Sequence, residues 1–493
     1  MWEYSLYSHS ELSFLRERRR LNGFSAGKGT VLPMSSRKSR YSKLAYSALF
    51  VPFLLAYLSW VYFPILAEWL RNSIFGYSPP NLVPNPFWAF TVRFFYTWYT
   101  FVAIGVAGVW ATAAIIIRNK QKVVDSKASP MVSFIVPAYN EENNISRCIS
   151  SLFRCADRYN GICEIIVVDD GSSDYTYEVA QSAIELRKRL HPNIRSKVIR
   201  HCSNLGKIEA VRSGANSALG TLIALVDADS WWLPNTLCEL VNYMMVNGKK
   251  AVTGYVHPSD GDTELNPFVV LQQLEYSQGL GVNRCAQSLT NSVLVVSGAI
   301  GLYDADVLRQ ILVDKTIRSV TEDLEITLEM HKQGKGVGYV SIAAGSSVVP
   351  HSFNMLWGQR TRWFTGWFHN TLNIHRELLA KRSWVSFLLW YCYVFEYGGA
   401  IIDLAALVAL PFLFFFSPDW VLFLGGLIVF GVYSFLISVV FQSIALKFAY
   451  DKHNYRDLLF YTPFYPILRV VDIFARLTSS IRFAFGYRGK WHS

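Results

Sequence analysis

The sequence predicts an α/β domain with a mostly parallel sheet, set between membrane-spanning helices and flanked by interfacial amphipathic helices. Three observations carry this reading. Residues 44–66 and 94–117 are runs without a charged side chain, each longer than the ~20 residues that an apolar helix needs to cross a bilayer. Residues 131–350 alternate short apolar runs with longer amphipathic stretches, the pattern of strands and helices in an α/β domain. Residues 384–416 and 420–446 are again strongly apolar.

Composition agrees. Of 493 residues, 52% are hydrophobic and only 17% charged, against roughly a quarter charged in soluble chains. The net charge of +11 lies partly in residues 1–43, which carry Arg16, Arg18, Arg19, Arg20, Arg37, Lys38 and Arg40 among others. Beside a hydrophobic span such an arm marks the cytoplasmic side, not a nucleic-acid partner. No cleavable signal peptide is visible, because the first apolar run begins only after this polar arm. The seven cysteines are scattered and none forms a CxxC pair, so a zinc site or a disulfide framework is not expected and a reducing compartment fits.

The expected organisation follows in chain order. Residues 1–43 are a basic cytosolic arm, and 44–122 hold two spans that end at Arg118, Lys120 and Lys122. Two spans return the chain to its starting side, so the α/β domain of residues 130–350 belongs in the cytosol. Residues 351–383 mix tryptophans with arginines and suit a helix at the membrane interface. Residues 384–447 hold two further spans, separated by a turn at Ser417-Pro418-Asp419. Residues 448–493 form an interfacial or fifth spanning segment and a tail, with Arg469, Asp472, Arg476 and Arg482 inside an apolar run.

Within the α/β domain, residues 132–136, 164–168, 222–226 and 251–255 read as strands, and 173–190 and 207–219 as helices. Ligands in such sheets bind beyond the carboxyl ends of the strands, and polar motifs stand at those ends. After the first strand come Ala138-Tyr139-Asn140-Glu141-Glu142, and after the second Asp169-Asp170-Gly171-Ser172-Ser173-Asp174. An acidic pair followed by Gly and Ser can hold a base and ribose, or can simply cap the next helix. Lys207 opens a helix against its dipole, a tolerable placement where a diphosphate sits, and otherwise a solvated lysine. Asp227-Ala228-Asp229 ends the third strand, and residues two apart point the same way in extended chain. Two converging carboxylates repel unless a cation such as Mg²⁺ or Mn²⁺ joins them. Thr321-Glu322-Asp323 opens another helix, where acids complement the dipole or supply a base for an attacking hydroxyl. Gln359-Arg360-Thr361-Arg362-Trp363 offers guanidinium forks for phosphate and a flat ring for a sugar, or alternatively snorkelling interfacial arginines.

Asp170, Asp227-x-Asp229, Thr321-Glu322-Asp323 and Gln359-x-x-Arg362-Trp363 occur in an order that resembles the processive family-2 glycosyltransferases, such as cellulose, chitin, hyaluronan and poly-N-acetylglucosamine synthases. The resemblance runs from about residue 131 to the C-terminus. It implies a GT-A fold, a UDP-sugar donor, a Mn²⁺ or Mg²⁺ ion and inversion at the anomeric carbon. It implies that Tyr139, Glu141 and Asp170 hold the nucleoside, that Lys207, Asp227 and Arg362 serve the nucleotide sugar, and that Asp229 with Asp227 binds the metal. It makes Asp323 the general base, and puts Gln359, Trp363, Ser297 and Gly298 beside the growing polysaccharide acceptor. Val296-Ser297-Gly298-Ala299 and the Thr-Glu-Asp triplet resemble the poly-N-acetylglucosamine synthases most, which implies UDP-N-acetylglucosamine as donor. The expected product is a β-linked polymer passed across the cell membrane. A glycosyltransferase that adds one sugar to a lipid shares the arginine–tryptophan motif, and a non-catalytic channel or scaffold is the alternative outside enzymes. Glu396 and Asp403, seven apart in an apolar run, occupy one helix face. They would line the polymer's route or pair with a basic residue of a neighbouring helix.

Overall fold

A computed structural model describes residues 94, 98, 103–120, 128–261, 266–314, 317–416, 438–447 and 455–487. The basic arm, the run 44–66, the turn at Ser417-Pro418-Asp419 and most of 420–446 lie outside the described residues.

The core is one eight-stranded sheet in the order β3-β2-β1-β4-β7-β6-β8-β5. Its strands are β1 Val132–Ala138, β2 Cys163–Asp169, β3 Arg195–Arg200, β4 Leu222–Leu225, β5 Ser230–Trp232, β6 Ala251–Ser259, β7 Gly301–Asp304 and β8 Val337–Val348. Every residue of β2 and β4 is buried, as is all of β1 except Pro137. Such unbroken burial, over mostly apolar residues, belongs to central strands covered on both faces. Helix α1 Ala103–Lys120 packs against the helical segment 277–290, and the helices covering the sheet include α2 Ile145–Arg158, α3 Thr176–Leu190, α4 Lys207–Ser217, α5 Thr236–Val246, α6 Pro267–Tyr276 and α7 Ala305–Asp314. Burial on α2 is one-sided, with Ile145, Cys148, Ile149, Leu152 and Phe153 turned to the sheet.

The sheet is mixed where a mostly parallel one was expected. β3, β2, β1 and β4 run parallel, as do β6 and β8, but β7 is antiparallel to both β4 and β6, and β5 is antiparallel to β8. This has a consequence for the edge where β1, β2 and β4 end. β1 leads outward to β2 and β3 on one side and has β4 on the other, so the strand order reverses between β1 and β4, the place where open sheets bind ligands. Because β7 runs backwards, its beginning reaches that edge: Leu225 pairs with Gly301. The segment before Gly301, with Ser297 and Gly298, is thereby delivered beside Asp227, whose N–H donates to the Gly298 carbonyl at 3.1 Å.

Beyond the sheet lie α8 Glu322–Lys332, α9 Phe353–Phe368, α10 Trp384–Tyr391, α11 Gly398–Phe416 and α12 Tyr465–Ala484. A π-helical turn, Cys392–Tyr397, joins α10 to α11. Among the described residues one helix, Trp384–Ala409, is long and apolar enough to cross a membrane. Its two acids face α12. Glu396 lies 3.6 Å from Arg476 and Asp403 lies 3.3 Å from Arg469, so basic partners on a neighbouring helix engage both. The arginines are also seven apart, which lets two antiparallel helix faces meet at two rungs.

Candidate active site

The polar ends of β1 and β4, the start of α4, the segment before β7 and the first turn of α8 meet in one cleft. Pro137, Lys207, Asp227, Gly298, Tyr303, Glu322 and Asp323 line it. Its centre is the Lys207 ammonium. Lys207 is the first residue of α4, and its Nζ lies 2.7 Å from both Asp227 Oδ1 and Glu322 Oε1. Burial opposes the charge on Lys207, but Asp227 and Glu322 outweigh it and hold the ammonium's pKa above its ordinary value. The two acidic motifs, almost a hundred residues apart in the chain, are thus joined through one cation.

Asp229 shares the β4 end. Its Oδ1 accepts from the Ser230 hydroxyl at 3.0 Å and faces the Ser347 hydroxyl at 3.4 Å. Burial, then the charges of Asp227 and Glu141, push its carboxyl up to about 7. A carboxylate strained in this way by like charge is relieved by a cation. Among the described residues no group of three or more His, Cys, Asp or Glu side chains forms a metal site alone. Asp227 and Asp229 nonetheless fit Mg²⁺ or Mn²⁺, because these ions take hard oxygen donors and complete their shell with substrate phosphates and water.

Gly298 is needed for close approach. A Cβ there would stand 3.0 Å from both Asp227 carboxylate oxygens and 3.1 Å from Lys207 Nζ. Ser297 is fixed beside it, its N–H donating to Thr253 Oγ1 at 3.3 Å.

Asp323 sits in the first turn of α8 with Glu322 and Glu325, where helix N-terminal N–H groups favour negative charge. The Leu324 N–H donates to its Oδ1 at 2.8 Å. Burial, then the neighbouring charge of Glu322, push the Asp323 carboxyl up to about 6, with Lys207 pulling the other way. A carboxylate poised there accepts a proton more readily than one at its ordinary pKa and is still ionised at neutral pH.

The remaining predicted residues take stations around this cleft. Glu141 follows β1, where burial raises its carboxyl despite a hydrogen bond from Asn144. Tyr139, directly after β1, is partly exposed. Asp170 is buried behind the α4 entry loop. The N–H groups of Leu205 and Gly206 donate to it at 3.1 and 2.8 Å, and His201 Nδ1 lies 2.7 Å away. Gly206 has φ +96°, so the loop delivering Lys207 depends on a conformation that only glycine adopts freely. Arg362 on α9 donates to the Val320 carbonyl at 3.3 Å, just before Thr321-Glu322-Asp323. The buried Oε1 of Gln359 has no hydrogen-bond partner among the described residues. Trp363 stacks under the Arg360 guanidinium at 4.6 Å.

Three features escaped the sequence reading. Glu322 had no role of its own, since an acid in a first helical turn already complements the dipole. His201 follows a polar edge strand that had not been recognised. Arg360 points away from the cleft: it is buried and paired with Glu275 of α6 and Asp472 of α12.

Residues 133–312 match the family described as "Glycosyl transferase family 2". A poly-beta-1,6-N-acetyl-D-glucosamine synthase of Staphylococcus epidermidis is 25% identical over 353 residues, 68% of this chain and 79% of that protein. An N-acetylglucosaminyltransferase of Rhizobium meliloti is 28% identical over 258 residues, 50% of this chain and 58% of that protein. In structure the chain is similar to a mannosyltransferase from Pyrobaculum calidifontis solved with GDP-Man and Mn²⁺, with a TM-score of 0.50 and 15% identity over 76% of this chain and 99% of that one. That likeness is one of fold, the GT-A arrangement of a Rossmann-like sheet. With the cleft at the carboxyl ends of its strands, the chain carries a glycosyl transferase family 2 domain and is a glycosyltransferase.

Proposed function

We propose that the chain is an inverting, processive N-acetylglucosaminyltransferase of the membrane, which polymerises UDP-N-acetylglucosamine into a β-linked polysaccharide and passes it across the bilayer. What carries the catalytic part is the single cleft in which Lys207 bridges Asp227 and Glu322 with Asp323 alongside. The choice of sugar is supported by the N-acetylglucosamine named in the activities of the two bacterial relatives. Membrane placement is supported by the apolar helix Trp384–Ala409.

In this reading Tyr139, Glu141 and Asp170 border the nucleoside, and Asp170 also holds the loop that presents Lys207. Lys207 and Arg362 face the diphosphate. A divalent cation held by Asp229 with Asp227 would neutralise charge on the leaving diphosphate. Asp323 takes the proton of the acceptor hydroxyl as its oxygen attacks the anomeric carbon from the face opposite UDP, which inverts that carbon. Gln359, Trp363, Ser297 and Gly298 border the acceptor, with Trp363 offering its ring to a sugar.

The test is UDP release by purified protein across a panel of UDP-sugars, with and without chelator, and with product length read on a gel. UDP-N-acetylglucosamine should be consumed fastest, activity should stop in chelator and return with Mn²⁺ or Mg²⁺, and the product should be a ladder of polymer. A single-sugar lipid product would overturn processivity, and full activity in chelator would overturn the metal.

A further inference from the structure

The segment packed most extensively on α9 belongs neither to the sheet nor to any motif above. α12 lies against α9 at three successive places. Asp472 faces the Arg360 guanidinium, with Nε to Oδ1 at 3.3 Å. The Ser479 hydroxyl donates to the Thr361 carbonyl at 3.2 Å. The Arg476 guanidinium covers the Phe364 ring at 4.7 Å. These three α9 residues flank Arg362 and Trp363 in sequence. Arg360 is 1% exposed and is also bonded to Glu275, so a buried charge is compensated only while α6, α9 and α12 stay in register. Arg360 in turn covers the Trp363 ring.

The same helix reaches the other way. Arg469 and Arg476 pair with Asp403 and Glu396 of the apolar helix. Arg469, Asp472 and Arg476 stand at positions i, i+3 and i+7, which puts alternating charges along one stripe of α12. Arg476 is the shared member: it pairs with Glu396, lies over Phe364, and is 6.0 Å from the Tyr397 ring.

Resting on the reading that Trp363 borders the acceptor, we propose that α12 is a positioning strut. It holds the helix that presents Trp363 at a fixed offset from the apolar helix, and so sets how the acceptor end is registered against the donor. Arg360, Asp472 and Arg476 are then positioning residues that meet neither UDP nor metal. Disturbing the strut uncouples transfer from donor hydrolysis, because water still reaches the anomeric carbon while the acceptor hydroxyl is misplaced, and a misplacement of about 1 Å is enough to lose most of the rate.

The experiment uses the full chain in detergent with UDP-N-acetylglucosamine, and measures UDP released, sugar incorporated and product length. The variants are Arg476→Glu, Glu396→Arg and the two combined. Each single change should raise the ratio of UDP released to sugar incorporated several-fold and shorten the product, with UDP binding unchanged, and the combined swap should restore both. Glu396→Gln and Ser479→Ala, milder changes, should move the ratio in the same direction and serve where a charge reversal does not fold. An unchanged ratio in every folded variant overturns the strut, and so does a combined swap that leaves the ratio high. A wild-type enzyme that makes only a one-sugar lipid product contradicts the polymer reading instead, and leaves the strut to be judged on the ratio of transfer to hydrolysis.

Discussion

At the scale of single residues, the chemistry depends on how unequal neighbours share charge. Asp323 is pushed up to about 6 by burial and by Glu322, with Lys207 restraining the rise. In its proposed role Asp323 works as a base only when ionised, so the shift has a sign. With saturating Mn²⁺ keeping Asp229 ionised, transfer should be level above about pH 6.5–7 and fall roughly tenfold per unit below a midpoint near 6, as one proton silences Asp323. A pH profile of initial transfer rate measures this, and a midpoint near 4 would remove the raised carboxyl. Gly298 makes the second prediction. A methyl there would press on both Asp227 oxygens and on Lys207. Displacing a charged hydrogen bond costs ~1.5–3 kcal/mol, so Gly298→Ala should weaken UDP binding by about tenfold or more. Titration calorimetry would show it, and undiminished affinity would contradict the close approach. The structure brings Lys207, Asp227 and Asp323 into one cleft, and at this scale the sequence marked each by its charge at a strand end or helix start while leaving it a bland use as well. It was silent on Glu322 as the partner of Lys207 and on Asp170 as the anchor of the α4 entry loop. Both roles rest on contacts between segments remote in the chain.

At the scale of elements, legibility followed hydrophobic contrast. β1, β2, β4 and β6 were readable to within a few residues because their apolar runs are bounded by turns, and α4 and α8 began where their first-turn residues suggested. β3, Arg195–Arg200, was missed because an edge strand exposes alternate residues and carries polar ones. The direction of β7 had no local signature, since four residues run equally well either way and only pairing with β4 and β6 decides. The docking of α9 onto the loop before α8 was equally hidden, yet it fixes the turn that leads into Asp323. Asn370, just past α9, donates through Nδ2 to Ser319 Oγ and Thr321 Oγ1 at 2.9 and 3.0 Å. Gly366 lies so close that a Cβ would stand 2.3 Å from Thr321 Oγ1. Gly366→Ala should therefore push α9 from the Thr321-Glu322-Asp323 turn. Overpacking of this kind costs ~1–3 kcal/mol, and kcat should fall much more than the KM for the donor rises. Unchanged kcat with normal stability would show that the contact is slack.

At the scale of the whole molecule, the sheet, the cleft and the helical layer divide the work. The sheet brings strand ends together, α8 and α9 bring Asp323 and the arginine–tryptophan motif to them, and α12 meets α9 through Asp472, Arg476 and Ser479 and the apolar helix through Arg469 and Arg476. Trp384–Ala409 is long and apolar enough to span, and the exposed Ile467, Phe474 and Ile481 lie along one side of α12, as a helix in contact with acyl chains requires. The chain should remain with membranes through a high-salt or alkaline wash and leave only with detergent. Release by salt alone would contradict integration. The central claim is that the cleft transfers N-acetylglucosamine with Asp323 as base. Its most direct measurement compares wild type with Asp323→Asn, purified and supplied with labelled UDP-N-acetylglucosamine and Mn²⁺, for UDP binding and for polymer made. The amide cannot accept a proton, so binding should be kept while polymer synthesis falls by about 10²–10⁴, the usual scale for loss of a general base. Polymer from Asp323→Asn at near wild-type rate would contradict it.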